Sequence, residues 1–177
     1  EHFIQRKAMD IDSLGEQTIR QLFELDLIKT PADLFYLKKE DFLRLDKVKE
    51  KTAQNILDGI TQSKATPFES VLFAMGIRYV GKTVAEKLAR YFKTVDALAS
   101  ASVEELLQAP EVGEKIAQSV YTFFRDPTNQ REVERLRKAG LNLVSDEKEP
   151  EKESDKLNGK SFVISGVFQN YERDQLK

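Results

Sequence analysis

The sequence predicts an all-α fold of tandem helical hairpins, and two observations lead to it. A short turn pattern recurs with an apolar residue at Leu14, Val48, Val80 and Val112, in steps of 34, 32 and 32 residues. Behind each turn, apolar residues fall at helical spacing, as they do on the buried face of a helix: Ile19, Ala53, Ala85 and Ala117, then Leu22, Ile56, Leu88 and Val120. A longer period of about 64 residues pairs the four copies into two double units, 1–66 and 67–145.

The third copy, residues 76–92 with the sequence GIRYVGKTVAEKLARYF, shows the pattern most completely. We expect a helix end, a tight turn and a new helix, with Gly81 supplying a positive φ that other residues avoid. Val80 should tuck beneath the turn. Ala85 and Leu88 should face the partner helix.

Such a turn presents backbone N–H groups at a helix N-terminus, with Lys82 and Thr83 beside them. Unpaired N–H groups and the helix dipole together favour a phosphate. We therefore interpret the repeat as a helix-hairpin-helix motif that holds the sugar-phosphate backbone of DNA. A single copy would favour an ordinary αα-hairpin with a glycine turn, whereas four copies favour the DNA-binding interpretation over a non-binding helical repeat.

The first double unit begins with residues 1–8, an entering helix or a tail. Residues 11–25 form the first turn and its helix. Thr30 should cap a helix that starts at Pro31, and a short helix covers 39–45.

The second double unit opens at Thr66 and Pro67. The remaining predicted elements follow in order: a helix over 68–75, a capping box from Ser102 to Glu105, the fourth turn over 110–115, a helix that closes at Asp126 and Pro127, and a last helix over 129–139 stopped by Gly140.

The second turn departs from the pattern, because Lys47 and Lys49 stand at both glycine positions. This hairpin could bind phosphate through charge instead of backbone, or it could keep a packing role only. The residues alone leave both alternatives open.

The formal net charge of −2 does not exclude a nucleic-acid partner, because the acidic residues are concentrated in 146–156. Residues 78–93 carry five basic residues and one acid, Glu86, so the basic field is local. With no Cys, no apolar run of membrane-spanning length and no signal-peptide pattern, we expect a cytoplasmic protein without membrane contact.

Beyond residue 143 the composition changes. Residues 146–156 contain no apolar residue and are predicted to form a charged linker. Residues 157–177 then begin with a predicted buried strand, 161–165, and the start of a helix.

Four segments in this order resemble bacterial NAD-dependent DNA ligases: HFIQRKAMDIDSLGEQTIRQLFELDLI, TPADLFYL, FAMGIRYVGKTVAEKLARYF and LNGKSFVISGVF. The resemblance covers the whole chain and implies a C-terminal fragment, with a helix-hairpin-helix domain followed by the opening strand of a BRCT domain. It also implies that the catalytic lysine and the NAD, Mg and Zn sites lie upstream. We therefore expect no catalytic, cofactor or metal residue in this chain.

What the resemblance carries over is DNA binding. Gly15, Gly81 and Gly113 match the family's hairpin glycines, whereas Ser13, Tyr79 and Glu111 stand where a second glycine is often found. The residues expected to contact DNA are Ser13, Gly15, Lys47, Lys49, Lys51, Arg78, Gly81, Lys82, Thr83, Gly113 and Lys115.

We predict sequence-independent binding of duplex DNA at a nick, in service of the upstream catalytic domains. One alternative is the helix-hairpin-helix region of another repair or recombination protein, such as a nuclease subunit or a branch-migration protein. The other alternative is a helical scaffold that binds proteins.

Overall fold

A computed structural model describes residues 1–145, and these form nine α-helices with two short 3₁₀ segments. The helices are α1 Glu16–Glu24, α2 Lys39–Phe42, α3 Glu50–Ser63, α4 Phe68–Ala74, α5 Lys82–Phe92, α6 Val95–Ser100, α7 Val103–Leu107, α8 Glu114–Arg125 and α9 Pro127–Lys138. The 3₁₀ segments are His2–Ile4 and Pro31–Tyr36. Over this described range the all-α prediction is confirmed, because the only β pairing is an isolated bridge between Thr94 and Val144.

The helices enclose one apolar core whose members come from both halves of residues 1–145. In the third hairpin, α4 packs directly against α5. Ala85 and Leu88 are fully buried and Val80 is 6% exposed. Ala85 and Leu88 therefore lie where helical spacing predicts, Val80 is buried as expected beneath the turn, and burying these side chains stabilises the packing of α4 against α5.

Helix α9 belongs to the second half of the described residues and packs against the Pro31–Tyr36 segment of the first half. The Arg135 guanidinium donates to the Asp33 carboxylate at 2.6 Å, and the Ala32 N–H donates to Glu132 at 2.6 Å. Partial burial of Asp33 by itself raises the pKa of its carboxyl. The backbone N–H groups of Lys29 and Thr30, together with Arg135, outweigh that effect and lower the pKa below its usual value of 3.8.

Several element boundaries match the sequence prediction. Ser102 Oγ accepts from the Glu105 N–H at 3.1 Å, and the Ser102 N–H donates to the Glu105 carboxylate at 2.7 Å, so the capping box is confirmed. Gly140 follows α9 with φ of +92°, as a helix-stopping glycine does.

Other boundaries differ. The segment that starts at Pro31 is a 3₁₀ helix, the short helix α2 ends at Phe42, and α9 begins two residues early, at Pro127. Helix α6 was not predicted, because its six residues are too few to show helical periodicity. The predicted linker, 146–156, and the predicted BRCT start, 157–177, lie outside the described residues.

Candidate nucleic-acid interface

Four turns with the same backbone hydrogen bond precede α1, α3, α5 and α8. In each turn an apolar residue donates its N–H to the carbonyl of the apolar residue three positions earlier. The pairs are Leu14 to Ile11 at 3.0 Å, Val48 to Leu45 at 3.4 Å, Val80 to Ile77 at 3.0 Å and Val112 to Ala109 at 3.2 Å. The repeat seen in the sequence is thus a repeat of local structure.

The left-handed residue in these turns is not the glycine that the sequence analysis assigned to that role. Gly81 has φ of −79° and ψ of 178°, which any residue adopts, so the predicted positive φ at Gly81 is wrong. In the second, third and fourth turns the left-handed residue stands two positions before the N-cap residue, with φ of 62° at Lys47, 66° at Tyr79 and 61° at Glu111. This is the third position of a four-residue turn, where a type II turn requires φ above zero.

The glycines instead occupy the residue immediately before each helix. Gly15, Gly81 and Gly113 are the N-cap residues of α1, α5 and α8, all with extended backbone. A Cβ atom added to any of the three would meet nothing within 4 Å. Neither backbone conformation nor internal packing therefore requires glycine at these positions.

The helices that follow the four turns also lack side-chain caps. No side-chain hydrogen bond caps α1, α3, α5 or α8, whose N-cap residues are Gly15, Lys49, Gly81 and Gly113. By contrast, the N-cap side chains of α6, α7 and α9 all accept backbone N–H groups; these residues are Thr94, Ser102 and Asp126. Helices α2 and α4, whose N-cap residues are Lys38 and Pro67, lack a side-chain cap as well.

The first intrahelical bond of each hairpin helix runs from its fourth residue to the N-cap carbonyl. In α5 the Ala85 N–H donates to Gly81 at 2.9 Å, and in α8 the Ala117 N–H donates to Gly113 at 2.9 Å. The earlier N–H groups of the helix point outward along its axis and have no partner within the helix. They form a compact set of donors around a glycine that adds no bulk, which suits a phosphate oxygen.

The four helix starts differ in charge, and α5 stands apart. Its first turn holds no acidic residue, whereas α1, α3 and α8 begin with Glu16, Glu50 and Glu114. A lysine at the first helical position opposes the helix dipole. The positive charge of Lys82 therefore does not stabilise α5, but it attracts an anion to the start of this helix.

The residues predicted to bind DNA at the third hairpin are brought together. Arg78, Gly81, Lys82 and Thr83 are all exposed around one helix start. Two other turns present exposed predicted residues in the same way: Lys47, Lys49 and Lys51 at the second turn, and Gly113 and Lys115 at the fourth.

The first turn has different surroundings. Ser13 and Gly15 are exposed. Ser13 lines a cleft together with Asp10, Asp12 and Asp58, so the field there is acidic.

Within each double unit, each turn contacts the long helix of the other hairpin. Ser119 Oγ on α8 donates to the Arg78 carbonyl in the third turn at 2.7 Å, and Lys87 on α5 forms an ion pair with Glu111 in the fourth turn. In the first unit, the Asp46 N–H donates to Gln21 on α1 at 2.7 Å. Ser13 lies so close to α3 that a Cβ on Gly59 would be 2.4 Å from its Oγ. These reciprocal contacts fix the two turns of a unit relative to each other.

No group of three or more His, Asp or Glu side chains within residues 1–145 could hold a metal ion. None of the helices over that range is long and apolar enough to cross a membrane.

Two family models match the chain. The model described as a SAM-like helix-hairpin-helix tandem matches residues 6–61, and the model described as a helix-hairpin-helix motif matches residues 70–133. Together they include all four turns. The turn geometry and these matches define a protein with tandem helix-hairpin-helix motifs.

The curated relatives of this chain include several bacterial DNA ligases. The chain is 59% identical to a DNA ligase of Cytophaga hutchinsonii and 52% identical to a DNA ligase of Phocaeicola vulgatus, in both cases over 100% of this chain and 27% of the relative. A DNA ligase of Caldicellulosiruptor saccharolyticus is 43% identical over 99% of this chain and 26% of its own length. The chain thus spans about a quarter of the length of these relatives. It is homologous over its full length to a segment of bacterial DNA ligases, which confirms the resemblance seen in the sequence.

Proposed function

We propose that this chain binds duplex DNA without sequence preference, as the DNA-holding part of a bacterial NAD-dependent DNA ligase. Phosphate oxygens accept hydrogen bonds from the backbone N–H groups at the hairpin helix starts, and exposed lysines and Arg78 supply the charge. Contacts of this kind fix the position of the duplex but do not read its sequence.

The observation that carries the proposal is the set of glycines at three N-caps. Gly15, Gly81 and Gly113 have backbone angles and free space that admit any side chain. Ser, Asp and Asn stabilise a helix start more than Gly does. A residue that leaves the N–H groups uncovered is explained by a ligand that must approach the backbone closely.

The four hairpins contribute unequally in this proposal. The third binds most strongly, because Lys82 and Arg78 flank its uncapped amides and its first turn holds no acid. The second contributes charge through Lys47, Lys49 and Lys51, since its N-cap carries a side chain. The fourth contributes Gly113 and Lys115.

The first hairpin is the weakest of the four in this proposal, because its turn lies in an acidic cleft. Ser13 and Gly15 therefore contact DNA only through backbone and hydroxyl groups. The two double units, 1–66 and 67–145, face the same duplex, and residues 146–156 link them to a BRCT domain that starts at 157.

The proposal assigns catalysis to other parts of a longer, cytoplasmic ligase. NAD, Mg²⁺ and Zn²⁺ serve those parts, and the described residues offer no cluster that fits a metal. This chain supplies binding and orientation of the duplex at a nick.

A fluorescence anisotropy titration with nicked duplex tests the proposal. We expect a dissociation constant of about 10⁻⁴ to 10⁻⁶ M at physiological salt, with log affinity falling linearly as log salt rises. Lys82→Ala should lower that slope by about 1, equally for unrelated sequences. Lys138→Ala, which removes an exposed lysine near the end of α9, should leave the slope unchanged.

Two alternatives predict other results. A protein-binding scaffold would bind nicked duplex weakly or not at all, and Lys82→Ala would have the same effect as Lys138→Ala. A hairpin region from a different repair protein would bind DNA but would gain nothing from a nick, so the ratio of affinities for nicked and intact duplex separates it from the ligase proposal.

A further inference from the structure

Tyr79 is the one residue of the third turn whose side chain neither the fold nor the phosphate contacts explain. Its φ of 66° lies in the left-handed region, which is unfavourable for a residue with a bulky side chain. Glycine would adopt this conformation freely. The ring is nevertheless 53% exposed, so burial does not offset the strain.

The equivalent residues in the other turns have roles of their own. Glu111, also left-handed, forms an ion pair with Lys87 on α5. Lys47 places a positive charge beside a second cation, Lys49. In the first turn, Ser13 is not left-handed and contacts α3 next to Gly59. Only the third turn combines backbone strain with an exposed aromatic ring.

The surroundings of the ring favour a nucleic-acid ligand. The Arg78 guanidinium lies 5.0 Å from the ring centroid, so a cation faces the ring close to the start of α5. Tyr79 also lines an open cleft of about 910 Å³ between the third turn, α7 and α8, where the charged side chains besides Arg78 are Glu114 and Lys115. The ring thus lies two residues from the N-cap glycine of α5, against the Arg78 guanidinium.

We propose that the Tyr79 ring packs against the deoxyribose next to the phosphate held by α5. This inference rests on the proposed DNA-binding function and adds an apolar contact to it. A sugar adjoins every phosphate along the strand, and its apolar face fits the flat ring. Arg78 orients the ring and faces the same strand. Because all nucleotides share this sugar, the contact adds affinity without sequence preference.

The test compares Tyr79→Gly with the parent protein. Tyr79→Gly removes the ring and also relieves the strained backbone, so the thermal unfolding midpoint should stay equal or rise. Affinity for nicked duplex should fall about five- to tenfold, the low end of the effect of aromatic contacts with nucleic acid. The slope of log affinity against log salt should not change, because the ring carries no charge. The loss should be the same on A·T-rich and G·C-rich duplexes.

A fluorescence measurement gives an independent readout. The chain has no Trp, so Tyr79→Trp introduces a single reporter, and its emission should change when nicked duplex is added. Tyr91→Trp is the matched control. Tyr91 is 47% exposed but lies at the opposite end of α5, so its reporter should not respond.

The outcomes separate this inference from the proposed function. If the parent binds DNA with the expected salt slope and Tyr79→Gly binds equally well, the sugar contact is wrong and the phosphate contacts stand. A lower unfolding midpoint for Tyr79→Gly would show that the ring serves the fold, which also overturns the inference. A loss that depends on base composition would indicate a base contact in place of the sugar. Failure of the parent to bind DNA would overturn the proposed function itself.

Discussion

Replacing Gly81 with aspartate should make the protein more stable and its DNA binding weaker. The fold admits the side chain, because Gly81 has φ of −79° and its Cβ position is empty to 4 Å. Asp at this N-cap should accept an N–H from the first turn of α5. Asp126 already does so in α9, where it accepts the Thr128 N–H at 2.7 Å.

The expected magnitudes follow from this geometry. A better cap and a negative charge at the positive end of the helix dipole together stabilise the fold by about 0.5–1.5 kcal/mol. That corresponds to a rise of about 1–6 °C in the unfolding midpoint. The same carboxylate covers the amides and repels a phosphate about 5 Å away by about 1–3 kcal/mol, a loss of roughly 5- to 150-fold in affinity.

Thermal unfolding followed by circular dichroism measures the first effect, and anisotropy with nicked duplex measures the second. Ala97→Asp is the control, because it adds the same charge to the exposed first turn of α6, a helix that Thr94 already caps. The control should bind DNA nearly as the parent does. Unchanged DNA affinity in a folded Gly81→Asp protein would refute the assignment of these amides to phosphate.

Three further predictions concern the cap of α9, the Asp33–Arg135 ion pair and the reaction with NAD. Asp126→Ala should destabilise the protein by about 0.5–2 kcal/mol in chemical denaturation, because α9 loses its cap, with DNA affinity unchanged. The lowered pKa of Asp33 means that its contribution to stability is complete above its unfolded pKa and is lost as the pH falls through its folded pKa. Below about pH 4, where the unfolded carboxyl titrates, the free energy of unfolding should therefore decrease less in Asp33→Asn than in the parent. An equal decrease in both proteins would contradict the role of the Asp33–Arg135 pair. Incubation with NAD should add no AMP to any lysine, as judged by intact-protein mass.

The sequence analysis succeeded where local chemistry determines the structure. The capping box at Ser102 and the helix-stopping Gly140 depend on residues within one turn of the chain, and both were predicted. The burial of Ala85 and Leu88 followed from helical spacing, and that of Val80 from its apolar character next to the turn.

The errors have physical reasons as well. Glycine is the usual residue at positive φ, so the pattern suggested that Gly81 takes the left-handed position, whereas Tyr79 does. Nothing in a single sequence reveals an aromatic residue held in that conformation. The pairing of Asp33 with Arg135 joins residues 102 positions apart, and only the packing of α9 against the Pro31–Tyr36 segment brings them together.

The differences among the four turns also depended on tertiary contacts. The sequence showed that the second turn has lysines in place of glycines. It did not show that Ser13 lines an acidic cleft or that Lys87 pairs with Glu111. The uncapped state of α1, α3, α5 and α8, in contrast to α6, α7 and α9, became visible only when the N-cap residues were located.

The most direct test of backbone phosphate binding is a ¹H–¹⁵N titration of the protein with nicked duplex. Glycine amides fall in a characteristic region of such spectra. The chain contains 8 glycines, so only a few amide signals have to be assigned. We predict that the amides of Gly81 and Gly113 shift most, followed by Gly15, and that those of Gly59 and Gly140 stay in place. Shifts confined to residues away from the four turns, with the Gly81 amide unmoved at saturating DNA, would contradict the account.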